Sequence, residues 1–368
     1  MAKGLYFGVD GKARKCKKIY FGVDGKARKI KKMYFGVDGK ARICYSSGLS
    51  SRKTPGQFSA QYIFTNSKVG DYMLRSYDGK VVETLNKSFI KGNATPFQIP
   101  AQYSGGSWNP SYAIFGGGRL ASNDTVTANM HTYTTSLVHG RVTDLLRVGP
   151  TGGNVGNYAI LSGGLDRWDS GYPQCTLYNQ NLAQTVLASS TYFINVGSAS
   201  ANIGDKILIA GGKNYSASGD GSFMPSSKVA YINSSGGWDA VTELSTAIDS
   251  IGGAGNGNYA LFAGPENDRV MSVTAYNPSL TRIIPATPTR RRAFDVVARV
   301  GEYIVIFGGS EYSTFFSEIT TYNQNLVMDV SEETLINPTF HPNAFEFSDG
   351  AIVTYKSGSE YNTYFYEN

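Results

Sequence analysis

The sequence predicts an all-β chain built on a repeated unit, and three observations carry that expectation. First, an unbroken apolar run ending in glycines recurs as Tyr112–Gly118 (YAIFGGG), Tyr158–Gly164 (YAILSGG), Lys206–Gly212 (KILIAGG), Tyr259–Pro265 (YALFAGP) and Tyr303–Gly309 (YIVIFGG), with weaker copies from Tyr62 and Ala351. The starts at 62, 112, 158, 206, 259 and 303 lie 50, 46, 48, 53 and 44 residues apart, a period that belongs to repeat architectures. Second, each run is followed by an alternating stretch that ends in Tyr before a turn, as in Thr176-Leu177-Tyr178-Asn179, Val273-Thr274-Ala275-Tyr276-Asn277 and Ile319-Thr320-Thr321-Tyr322-Asn323, with counterparts at Tyr77, Tyr133 and Tyr231. Third, 43 Gly and 25 Tyr with only 17% charged residues suit short strands and many turns better than helices.

Taken in order, the chain begins with three near-identical 14-residue copies between residues 4 and 46, whose tyrosines are Tyr6, Tyr20 and Tyr34. Within each, two alternating runs flank Asp-Gly, the strongest short-range hairpin signal. Folding the middle copy about Asp24-Gly25 pairs Val23 with Lys26, Phe21 with Arg28 and Ile19 with Ile30. A lone two-stranded hairpin is marginal in water, and three of them bury little. The head is therefore expected to be completed by copies of itself or by a larger particle, through Tyr6, Phe7, Arg14, Tyr20, Phe21, Arg28, Tyr34, Phe35 and Arg42.

Charge is distributed unevenly: residues 1–53 carry 15 Lys/Arg against 3 Asp (+12), and the remainder 19 against 25 (−6). The runs Arg14–Lys18 and Arg28–Lys32 could bind nucleic acid or an anionic surface. Strand alternation splits each run over two faces, however, and the aromatics are spaced for hairpin packing rather than base stacking, which argues against nucleic acid. Tandem copies of the form K-[IM]-Y-[FV]-G-V-[DN]-G-[KV]-A-R-K closely resemble N-terminal repeats in structural proteins of bacteriophages and prophages of Firmicutes. That resemblance implies a virion component whose head, residues 1–46, is an attachment or assembly module for other virion proteins, with the chain homo-oligomeric in the particle.

Residues 47–57 read as a turn-rich linker or closing strand, and residues 58–368 as the repeat body. An Arg-rich lead-in strand (Thr289–Ala298), a hydrophobic strand ending in Gly-Gly and a Tyr-Asn strand spell a kelch repeat, best matched over residues 286–325, and the body resembles a kelch-type β-propeller. Seven strand starts imply seven blades, with six as the alternative. Gly-Gly is missing at Thr65–Lys68 and at Lys356–Gly358 and reads Gly264-Pro265 in one copy; the usual fourth-strand Trp is matched only by Trp238. Because the chain stops soon after the third-strand candidate Tyr361–Tyr366, a segment before Phe58, such as Ile43–Leu49, is expected to supply the outer strand of the last blade and so avoid an open edge.

Little in the sequence suggests catalysis. His131, His139 and His341 are the only histidines, and each reads better as structural than as a member of a nucleophilic triad. Cys16, Cys44 and Cys175 form neither a disulfide framework nor a zinc motif, and Cys175 has no His pair that would make a copper site. No cofactor and no metal are expected. With no run of about 18 apolar residues and no apolar h-region, neither membrane insertion nor Sec export is expected.

The informative variation lies in the loops joining second to third strands, which in a four-stranded blade all leave on one face of the ring. Arg119, Asp166, Arg167, Trp168, Asp169, Tyr172, Asn214, Tyr215, Glu311, Tyr312 and Phe315 lie there, aromatic rings beside polar groups, as a saccharide requires. The combined expectation is a virion protein, of tail, baseplate or head fibre, that displays this face to a host-surface glycan or protein. The alternatives are a glycan-active enzyme on the same scaffold and a non-viral kelch interaction module.

Overall fold

The structure is a computed structural model. It describes the backbone of six short strands within residues 6–46 and, from residue 49 on, most of the chain, apart from single residues and the segments 54–63, 78–80, 96–100, 103–104, 121–125, 144–146, 166–170, 172–173, 188–195, 216–222, 267–269, 290–295, 312–313, 336–337, 339–342 and 358–359.

Seven antiparallel sheets follow one another as the blades of a propeller. Blade 1 has three strands, Phe64–Val69, Tyr72–Tyr77 and Val81–Asn86. Blades 2 to 6 have four each, their inner strands being Gly105–Trp108, Thr151–Val155, Ala199–Ile203, Gly252–Gly255 and Val296–Val300. Blade 7 comprises Asn343–Glu346, Gly350–Ser357, Glu360–Glu367 and, from the other end of the chain, Ser50–Lys53.

The apolar runs are the second strands. Tyr303–Phe307 and its counterparts are buried on both faces except at their first residue. Each lies between an inner strand and a Tyr-bearing third strand, and its side chains build the cores between adjacent blades. Gly-Gly then reverses the chain with positive φ at both residues, 71° and 105° at Gly117 and Gly118 and 59° and 97° at Gly308 and Gly309, a conformation that costs an L side chain about 1–2 kcal/mol. In blade 5 Pro265 replaces the second glycine. The strand runs straight on as Ala260–Glu266, and the connection to Val270 shrinks to three residues.

Third-strand tyrosines lock each blade to the chain ahead of it. Tyr133, Tyr276 and Tyr322 are fully buried, and their hydroxyls donate to the carbonyls of Thr95, Thr242 and Ala286 at 2.5, 2.7 and 2.7 Å. Burial pushes the Tyr133 and Tyr276 phenols well above their ordinary range, so they remain donors. After the tyrosine comes a second repeated turn. The Asn323 side chain accepts the N–H groups of Asn325 and Val327, Asn179 serves Asn181 and Ala183 in the same way, and Asn277 accepts that of Thr281. Leu182, Leu280 and Leu326 close these turns with φ of 60°, 62° and 58° while packing on the neighbouring cores. Their apolar burial offsets the cost of the left-handed backbone.

Three expectations need correction. The copy at Tyr62 was placed one strand out of phase: Phe64–Val69 is the inner strand of blade 1, and Tyr72–Tyr77 takes the hydrophobic role with Met73 and Leu74 fully buried. Tyr77 accordingly ends a second strand and is no counterpart of Tyr322. The apolar run at Tyr62 misled because the second strand of blade 1 carries Arg75 and Ser76 and has no Gly-Gly after it, so it lacks the spelling of its counterparts. A segment before Phe58 does close the last blade, but it is Ser50–Lys53, within 47–57, and not Ile43–Leu49, because Lys40–Ser46 pairs with Lys32–Val37. Leu49 is buried in the core between blades 6 and 7, and the Ser51 hydroxyl donates to Glu333 Oε2 at 2.7 Å.

The head repeats form three separate two-stranded sheets. The middle one pairs Val23 with Lys26 and Phe21 with Arg28, as the Asp-Gly turn requires; Ile19 and Ile30 lie outside the described residues. Tyr6, Phe7, Arg14, Tyr20, Phe21, Arg28, Tyr34, Phe35 and Arg42 all fall within these strands.

Candidate functional site

Antiparallel pairing gives the ring two unlike faces. Inner strands begin beside the ends of second strands, with Thr151 opposite Ser162, Ala199 opposite Ala210 and Val296 opposite Phe307. The second-to-third connections and the segments leading into each blade therefore share one face. Those connections run over residues 117–128, 163–174, 211–228 and 308–318, whereas the opposite face carries two-residue turns at 70–71, 156–157, 204–205 and 301–302. On the long-loop face the lead-in segments are tied to the residues just after Gly-Gly. Val148 and Leu165 exchange N–H···O bonds of 2.8 Å, Val196 and Lys213 bonds of 3.0 and 2.8 Å, and Gln102 pairs with Arg119.

The inner strands line an axial channel in layers, one residue per blade in each. Register defines an outer layer near the short-turn face: Lys68, Trp108, Asn154, Asn202, Gly255, Arg299 and Glu346. Two residues earlier lies the layer Asn66, Gly106, Gly152, Ser200, Gly253, Val297 and Ala344. Crowding at the axis explains its small residues: a Cβ on Gly152 would stand 1.6 Å from the Gly106 carbonyl oxygen, and one on Gly106 1.9 Å from that of Asn66.

On the long-loop face, residues of this second layer line an open cavity of about 470 Å³. Blades 3 and 4 contribute the segments 149–152 and 197–200, blades 5 and 6 contribute Ile251, Val296 and Val297, and blades 1 and 7 contribute Asn66 and Ala344. No ionisable side chain lines it among the described residues. Its polar groups are already oriented. Thr151 Oγ1 donates to the Ser198 carbonyl at 2.9 Å, and Ser200 Oγ donates to the Gly152 carbonyl at 2.8 Å, leaving hydroxyl lone pairs to accept.

The outer layer carries charged side chains, whereas the described lining of the cavity carries none. Glu346 Oε1 accepts the Arg299 backbone N–H at 2.6 Å, Arg299 Nε donates to the Gly301 carbonyl at 2.9 Å, and Lys68 Nζ stands 4.7 Å from the centre of the Trp108 ring. Burial raises the Glu346 carboxyl pKa against the opposing pull of the Arg299 N–H, Lys68 and Arg299. Burial likewise lowers that of Lys68, with Glu346 opposing and Arg299 adding to the shift. Asn202 Nδ2 donates to the Asn154 carbonyl at 2.6 Å on the far side. Single-residue reading missed this layer. Its signal was positional: each member stands four residues ahead of the residue at the head of the following hydrophobic strand, Tyr72, Tyr112, Tyr158, Lys206, Tyr259, Tyr303 or Gly350.

Of the loop residues expected to bind ligand, Arg119 lies in a two-residue strand at the rim and is half-buried, as is Phe315, which pairs with Ser310. Asn214 and Tyr215 fall in a short strand paired with Phe223–Pro225, and Glu311 pairs with Thr314. All five sit on the cavity face. Asp166, Arg167, Trp168, Asp169, Tyr172 and Tyr312 lie outside the described residues.

Elsewhere, His131 is buried in the third strand of blade 2, with Nδ1 3.0 Å from His139 Nε2 on the fourth, and burial together with Arg141 lowers the His139 pKa. Cys175 is fully buried and its thiol is pushed up to about 12, mainly by burial, which makes it a poor nucleophile. Arg147, also fully buried, donates to the Leu161 carbonyl at 2.9 Å and to Thr176 Oγ1, a structural use of a lead-in arginine.

Architecture defines the class: a seven-bladed all-β propeller with an axial cavity on its long-loop face. A solved structure titled "Structure of YjhT" is similar in fold, with a TM-score of 0.55 and 12% identity over 76% of this chain and 99% of that one. No family profile and no curated protein matches the sequence.

Proposed function

We propose that this chain is a virion structural protein, mounted on the particle by its basic N-terminal repeats and presenting the cavity face of its propeller to a glycan on the host surface. The observation that carries this reading is the polarity of closure. Ser50–Lys53 runs antiparallel to Glu360–Glu367, with Ser50 opposite Glu367 and Lys53 opposite Tyr364, so the chain joins the ring from the short-turn face. The last repeat strand ends at Ser46, four residues earlier, a span of at most about 14 Å. Repeats attached on that side leave the opposite face, with its long loops and cavity, turned outward.

Function does not follow from the fold itself; the phage assignment rests on the spelling of the repeats and the ligand class on the chemistry of the loops and cavity. The decisive experiment pairs mass spectrometry of purified particles with binding of the labelled full-length chain to susceptible cells. Stoichiometric recovery in particles and binding that is abolished by stripping surface polysaccharide are expected. Absence from particles sinks the virion role, and binding that persists on stripped cells sinks the glycan.

A further inference from the structure

We infer that the three head repeats occupy three equivalent sites on one acidic partner built from closely spaced repeated units; this rests on the virion reading above. The nine residues YFGVDGKAR at 6–14 recur without change at 20–28 and 34–42. The backbone repeats with them. Each copy closes as its own two-stranded sheet, and Phe7 pairs with Arg14 and Val9 with Lys12 just as Phe21 pairs with Arg28 and Phe35 with Arg42. Paired residues share a face of a sheet, so one arrangement of Phe, Val, Lys and Arg is displayed three times. Surfaces alike in composition and register have the same affinity for the same complement. The partner that they fit is therefore one that presents this complement repeatedly.

Charge and reach define the partner further. Residues 1–46 carry 13 Lys/Arg against 3 Asp, so the heads of neighbouring copies repel one another and the surface that completes them is acidic. The excess is steepest in the first two repeats, with 5 Lys/Arg against 1 Asp in each of residues 6–19 and 20–33, and falls to 2 against 1 in residues 34–47, the copy nearest the ring in sequence. From Lys15 to Tyr20, and again from Lys29 to Tyr34, the chain advances five residues and spans at most about 17 Å. Tyr6 pairs with Lys15, about 5 Å away, so the equivalent positions Tyr6 and Tyr20 lie within about 22 Å of each other. That is less than the ~30 Å breadth of a small domain. Sites so close belong to repeated units gathered round an axis or along a slender fibre, not to broad subunits laid side by side.

The test measures binding of the full-length chain to purified particles assembled without it. Deletion of residues 6–19, one full period, is expected to weaken binding about tenfold or more, and deletion of residues 6–33 about a hundredfold or more, because linked contacts multiply. Gly25→Val spoils the Asp-Gly turn of the middle hairpin without altering charge. It is expected to weaken binding as much as deleting one copy does, with the thermal midpoint of the propeller unchanged. A photo-crosslinking residue placed at position 12, 26 or 40 is expected to capture the same partner peptide each time. Different peptides from the three positions, or one repeat that carries all of the binding, overturns the equivalence and leaves the virion role standing. Full binding by Gly25→Val reduces the head to a polycation and overturns the proposal likewise. No binding of the intact chain to the deficient particles overturns the virion reading and this inference with it. The crosslinking arm leaves every hairpin turn intact, so misfolding of Gly25→Val would not rescue the proposal.

Discussion

The joints between blades 1 and 2 and between blades 2 and 3, and the joint that closes the ring between blades 7 and 1, solve one packing problem in different ways. At the first two, inner strands meet through backbone: Gly106 lies against Asn66, Gly152 against Gly106, and Ser107 Oγ donates to the Gly153 carbonyl at 2.6 Å. At the closing joint the inner strands meet through side chains instead, with Asn66 Nδ2 donating to the Ala344 carbonyl at 3.5 Å. Phe345, Ile352 and Phe365 pack on Met73 and Leu85, and Lys68 and Glu346 interact at the channel. Successive repeats are held in register by the chain that links them, so they can approach to backbone distance. The two terminal blades have no such tether, and a large apolar interface with a borrowed strand brings them together.

That contrast can be broken most directly at Gly152. Valine there would overlap the Gly106 carbonyl, a backbone group that cannot turn aside, so the loss should exceed the ~1–3 kcal/mol usual for overpacked sites. We expect failure to recover folded protein, judged by near-ultraviolet circular dichroism; a stable Gly152→Val ring would refute backbone contact at the interior joints. At the closing joint Phe345→Ala should cost about 3–5 kcal/mol, measured by denaturant unfolding, and a loss below 1 kcal/mol would show that the borrowed strand closes the ring without the aromatic cluster. Removing a single latch, Tyr322→Phe, should cost about 1 kcal/mol, and a cost near zero would mean that the tyrosines matter for ring packing alone.

The smallest effect tests the charges at the closing joint. Glu346 has a folded pKa above its unfolded one, so its stabilising contribution is present at low pH and is lost as pH rises through the folded value. Glu346→Gln keeps an acceptor for the Arg299 N–H without the buried charge. It should raise the thermal midpoint slightly at pH 7, with the gain vanishing towards pH about 4, near the ordinary glutamate value. A gain that grows on acidification would reverse the assigned cause.

Much of the architecture was legible from period and turn chemistry. Apolar runs before Gly-Gly became second strands because two-sided burial demands that spelling, and Tyr322-Asn323 announced a turn, while the latch made by the Tyr322 hydroxyl depends on a carbonyl 36 residues away. Blade 1 was misread because its second strand, Tyr72–Tyr77, carries Arg75 and Ser76 and no Gly-Gly, so the run at Tyr62 ahead of its inner strand looked more like the repeat than the true second strand did. Leu326 could not be read as a turn residue, since its left-handed backbone is tolerated only because a neighbouring core receives its side chain. The loop aromatics were chosen by composition, and the cavity beside them was invisible because its walls are glycine, serine and valine drawn from six blades.

By itself the sequence determined the strands, the repeat and the hairpin register of the head, all of which depend on neighbours within a few residues. Tertiary structure alone decided the bounds of the closing strand, which face the chain joins, and that charged side chains gather at one end of the channel while small and apolar residues line the other. Those features arise from residues hundreds of positions apart, brought to one axis by the ring, and no local pattern encodes their meeting.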